Sequence, residues 1–119
     1  MINISSSQAS SILWNLQRIH RCIDLAFLFK GQGELWLKVI EAEECISEAL
    51  VEANFASKHH LPECRSEAIA NVLKCLEVAE GAITEALSVA SPYHREQGAI
   101  ANLRAGRKAI IELHSSITK

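Results

Sequence analysis

Apolar residues recur along this chain at alternating intervals of four and three. They fall at Ile12, Leu16, Ile19, Ile23 and Ala26 in one stretch, and at Leu35, Val39, Ala42, Ile46, Ala49 and Ala53 in a second. A third stretch carries Ile69, Val72, Leu76, Ala79, Ile83, Ala86 and Ala90, and a fourth Ala99, Leu103, Gly106, Ile110, Leu113 and Ile117. Residues three and four apart share one side of an α-helix, so each set predicts one buried seam on an amphipathic helix. The breaks between sets agree with this. Proline lacks an N–H and fits the first helical turn, where that donor has no partner, so Pro62 and Pro92 predict helix starts. Gly31-Gln32-Gly33 predicts a helix-ending turn. The pattern therefore predicts helices near residues 7–30, 34–57, 62–90 and 92–117. Short connections between four such helices favour an all-α, antiparallel, up-and-down four-helix bundle, with residues 1–119 as a single domain.

The positions beside each seam decide which helices are neighbours. On one flank they carry Leu13, His20 and Phe27, then Trp36, Glu43 and Leu50, then Leu73, Glu80 and Leu87, then Tyr93, Ile100, Arg107 and His114. On the other flank they are small, with Cys22, Cys45, Ala68, Cys75, Ala82 and Ala109. Like flanks meet in an antiparallel pair, so each helix should have one wide and one close neighbour. Pairing the wide flanks of helices two and three would oppose Glu43 to Glu80. Pairing helix one with two and three with four instead brings His20 to Glu43 and Arg107 to Glu80, and predicts a polar layer of these four at mid-bundle. Its expected role is ionic pairing that fixes helix order; a small-molecule pocket is the alternative. Cys45 and Cys75 are expected near the close contact of helices two and three.

Composition narrows the function classes. The 119 residues are 49% hydrophobic and 22% charged with a net charge of −2, values that fit one globular core and exclude a disordered or strongly basic chain. No apolar run is long enough to span a bilayer, and Met1-Ile2-Asn3-Ile4-Ser5 lacks the charged and apolar regions of a secretory leader, so the expected compartment is the cytosol. Charge is nevertheless uneven. Residues 34–90 carry eleven Glu against four Lys or Arg, whereas the segments on either side are net basic, so helices two and three should form an acidic side opposite helices one and four. The few basic residues of helix four, without interleaved aromatics, do not make a nucleic-acid surface.

Candidate chemistry is sparse. His60 and Cys64 could share a metal at a helix start, but two ligands do not make a zinc site. Glu41 and Glu44 form a Glu-x-x-Glu on helix two, and Glu77 and Glu80 form another on helix three. Carboxylates one turn apart on facing helices suit Mg²⁺. The arrangement loosely resembles the all-α nucleotide pyrophosphohydrolases, over about eight residues in each of two helices. That resemblance implies a Mg²⁺-dependent hydrolase acting through Glu41, Glu44, Glu77 and Glu80. The sequence departs from it at Glu80, where the family has Asp, and the seam places Glu41 and Glu44 outward. Helix one gives a different indication. Its seam leaves Trp14, Leu25 and Leu28 facing outward, interrupted by Arg18 and Arg21, which is more apolar surface than one buried stripe requires. Trp and Arg commonly anchor interfaces. The expectation is a non-enzymatic interaction or adaptor protein, without a cofactor, that works as a homodimer through helix one.

Overall fold

Four helices carry most of the residues that the computed structural model describes, 4–26, 33–90 and 97–119. They are α1 (Ser6–Asp24), α2 (Gly33–Lys58), α3 (Pro62–Ala90) and α4 (Gln97–Thr118). Each packs on its two neighbours in a cycle: α2 with α3 most extensively, then α1 with α2, α3 with α4, and α1 with α4. The result is a four-helix bundle of 48 × 23 × 19 Å.

Every seam residue named above is buried. The larger ones, including Leu16, Ile19, Leu35, Ile46, Leu76, Ile83, Leu103 and Ile110, are essentially inaccessible, and each contributes about 1.5–3 kcal/mol through removal from water. Among the described residues no charged or polar side chain is fully buried, so the core is aliphatic throughout. Between α2 and α3 the seams are rich in Ala42, Ala49, Ala53, Ala79 and Ala86, small residues that let the two backbones approach. Burial of Cys75 and Ala82 on the small flank of α3 belongs to the same close contact. Leu13, Trp36, Leu50, Leu73 and Leu87 on the wide flanks are partly buried and lean against the core.

Helix ends depart from the sequence pattern. At its start α1 is held by a capping box: Gln8 N donates to Ser5 Oγ at 3.1 Å and Ser5 N donates to Gln8 Oε1 at 2.8 Å. The helix stops at Asp24 instead of running to residue 30. Leu25 N donates to Arg21 O at 3.1 Å and Ala26 N to Ile23 O at 2.9 Å, a tightened last turn that buries Ala26 and turns Leu25 outward. The apolar run after Ile23 hides this end in the sequence, because no glycine or polar capping residue marks it before Gly31. Gly33 opens α2 with φ of 59°, the left-handed region that glycine enters without strain, so it serves the start of α2 and not the end of α1. The expected helix start at Pro92 lies outside the described residues, as do Phe27 and Tyr93.

One end of the bundle is tied by polar side chains. Ser6 Oγ donates to Ser57 O at 2.7 Å, joining the start of α1 to the end of α2. Arg65, in the first turns of α3, donates through Nη1 to Ile4 O at 3.1 Å and through Nη2 to His59 O at 2.7 Å. A single guanidinium thus connects α3, the segment before α1 and the turn after α2.

Candidate functional site

The ionisable groups at mid-bundle occupy two separate grooves. In the α1/α2 groove His20 Nε2 lies 3.1 Å from Glu43 Oε1, and its Nδ1 lies 3.2 Å from Asp24 Oδ2, one turn along α1. Ser47, one turn along α2, donates to Glu43 Oε1 at 2.8 Å and lies 3.4 Å from His20 Nε2. Both ring nitrogens therefore face carboxylates, an arrangement that a doubly protonated imidazolium satisfies on both sides. Partial burial pushes the Glu43 carboxyl up, but the Ser47 and His20 hydrogen bonds, with the nearby His20 charge, outweigh it and hold Glu43 below the usual carboxylate range.

In the α3/α4 groove Arg107 Nε donates to Glu80 Oε1 at 3.2 Å and to Thr84 Oγ1 at 2.9 Å. The Thr84 hydroxyl in turn lies 2.9 Å from Glu80 O and 3.1 Å from Glu80 Oε1. Two turns along α4, His114 Nε2 is 3.1 Å from Glu77 Oε1. The two grooves use one device: a glutamate, a hydroxyl residue four positions later, and a cation or imidazole from the neighbouring outer helix. It coincides with a local match in the sequence, residues 42–50 against 79–87, that aligns Glu43 with Glu80 and Ser47 with Thr84. His20, Glu43, Glu80 and Arg107 thus form two pairs, each in its own groove, and not one continuous ring.

Asp24, Ser47 and Thr84 were not singled out by the hydrophobic pattern, although each lies one turn from a residue that was. His20, Asp24 and Glu43 also bring potential metal-ligand atoms within 4.8 Å of one another. A metal would take one ring nitrogen of His20 and leave one of its carboxylate contacts unmade, whereas the ionic arrangement uses both. Ser47, His20 and Asp24 are ordered like a nucleophile, base and orienting acid, but the Ser47 hydroxyl is donated to Glu43. The backbone donors around Ser47 lie inside α2, where helical bonding occupies them.

The four glutamates of the hydrolase resemblance do not converge. Glu77 and Glu80 turn toward α4, to His114 and Arg107, while Glu41 and Glu44 stand on the exposed side of α2. Glu41 lies 3.6 Å from Lys38, whose Nζ also reaches Glu85 at 2.7 Å. Helical phase is the reason: the Glu41 and Glu44 side chains project away from the seam while Glu77 and Glu80 flank the α3/α4 contact. Among the described residues no group of three potential ligands includes any of them. A groove of about 400 Å³ is lined by Glu77, Glu80, Ile110, Ile111 and His114, and a second of about 320 Å³ borders Arg107. The thiols offer no reactive centre at the α2/α3 contact: burial, then the charge of Glu48, pushes Cys75 up to about 11, and burial also raises Cys45.

The outer face of α1 is organised differently. Trp14 is 60% and Leu25 54% exposed, and Arg18 and Arg21 between them are also exposed. The Arg18 guanidinium carbon stands 5.4 Å from the Trp14 ring centroid, a cation–π contact between the two side chains. Leu28 lies outside the described residues. The α2 outer face has its own stripe, Leu37, Glu41, Glu44, Glu48, Val51 and Phe55, all exposed, with Leu37 at 64% and Val51 at 69%. The acidic members of that stripe stand out in the sequence; its apolar ends do not. Compared with models of protein families, with curated proteins and with solved structures, the chain matches none.

Proposed function

We propose that this protein is a non-enzymatic interaction module whose α1 face docks a second copy of the chain. The observation that carries the reading is the exposed Trp14–Arg18–Arg21–Leu25 stripe, in which a large aromatic is already held in place by its neighbour. Exposed Trp and Arg, once desolvated, are the residue types that dominate binding energy at interfaces. Pre-ordering by the cation–π contact lowers the entropy lost on docking. The Ser47 hydroxyl is donated to Glu43 and the mid-bundle ionisable groups are engaged with one another, which supports a binding role over a hydrolytic one.

Sedimentation velocity tests the reading. The wild-type chain should run above monomer mass at high micromolar concentration, and Trp14→Ala combined with Leu25→Glu should return it to monomer with helical content unchanged. A wild-type chain that stays monomeric at such concentrations overturns the reading.

A further inference from the structure

The α1 stripe has charge of one sign only. Asp24, the acid nearest to it, is engaged by His20. A twofold contact of α1 on α1 would therefore set the Arg18 and Arg21 of one copy against those of the other, a like-charge juxtaposition that disfavours association. The α2 stripe is opposite in sign and the same in spacing. On α1 the spacing from Trp14 through Arg18 and Arg21 to Leu25 is four, three, four; on α2 the spacing from Leu37 through Glu41 and Glu44 to Glu48 is four, three, four, and Val51 and Phe55 follow. At about 1.5 Å rise per residue the α1 stripe spans about 16 Å. Laid antiparallel with Leu25 over Leu37, it puts Arg21 opposite Glu41, Arg18 opposite Glu44 and Trp14 opposite Glu48, with Val51 about one turn further along α2. Leu25 covers Leu37 at one end, and the two cations meet two carboxylates.

From this complementarity we infer that the partner surface for α1 is the α2 outer stripe of another copy, so that the chains join head to tail. The inference rests on the self-association proposed above and specifies its other half. Such a contact is heterologous, unlike that of a twofold dimer: after two chains join, one α1 stripe and one α2 stripe remain free, and assembly continues until a ring closes or a filament grows.

A charge-exchange experiment tests it. Arg18→Glu with Arg21→Glu makes both stripes acidic, and Glu41→Lys with Glu44→Lys makes both basic, in each case at exposed positions where helix formation should survive. Wild type should sediment above dimer mass. Each variant alone should associate at least tenfold more weakly, and an equimolar mixture should regain assembly, because every contact in the mixture joins opposite charges. Circular dichroism of each variant confirms that it is folded before mixing. Wild-type mass that stops at the dimer, or a Glu41→Lys, Glu44→Lys variant that assembles like wild type, overturns the head-to-tail contact and leaves self-association through α1 standing. A monomeric wild type overturns both.

Discussion

Glu43 receives a hydroxyl from α2 and faces an imidazole from α1, and the outcome is a carboxyl held below its ordinary value of 4.5 despite partial burial. A group whose folded pKa is depressed stabilises the fold in full above the unfolded pKa and loses that contribution as pH falls through the folded value. Glu43→Gln keeps the shape and removes the ionisation. It should lower stability by about 0.5–1.5 kcal/mol at neutral pH, and the difference from wild type should vanish as the pH drops below 4.5. Urea unfolding across that range measures it; a difference that persists in acid would mean the carboxylate contacts are not its source. The pairing of His20 with Glu43 and Arg107 with Glu80 was legible in the sequence because charge signs choose between only two flank pairings. Asp24, Ser47 and Thr84 follow from the same residues by one helical turn, once a turn is counted. Arg65 was not legible, because its partners are backbone carbonyls at Ile4 and His59 that only the folded bundle brings within reach.

The helices themselves are the most sequence-determined level. Each seam repeats the 4-3 spacing over at least five positions, and tertiary burial follows the same phase, so periodicity and packing agree residue by residue. The end of α1 escapes that logic, since a buried Ala26 can follow the seam while the backbone has already left the helix. Glycine gives the elements a direct test. Gly81 lies inside α3, and a Cβ built there meets no atom within 4 Å. Gly81→Ala should raise stability by about 0.5–1 kcal/mol, visible as a higher midpoint in urea with an unchanged slope. Loss of stability would show a packing role for that glycine. Gly106 is different, because its Cβ would stand 3.4 Å from Cys22 Cβ across the α1/α4 contact, so an added methyl there already touches the neighbouring helix.

At the scale of the molecule, charge and exposed apolar groups are distributed together. α2 and α3 carry eleven Glu against four basic residues, whereas α1 and α4 carry five Arg or Lys against Asp24 and Glu112. Contacts between exposed ionic stripes weaken as the Debye length shortens from about 10 Å at 0.1 M salt to about 3 Å at 1 M. Self-association measured by sedimentation should therefore fall severalfold across that range while circular dichroism stays constant, since the core is aliphatic. Assembly that strengthens with salt would identify a purely apolar contact. The paired grooves carry one more consequence. Four amphipathic helices in up-and-down order can wind around their common axis in either hand, with nearly the same seams buried in both. In the mirror winding the wide flanks of α2 and α3 would meet, setting Glu43 against Glu80 and leaving His20 beside Arg107. The observed winding thus satisfies two surface ion pairs, on opposite sides of the bundle, that the mirror winding would replace with like-charge contacts.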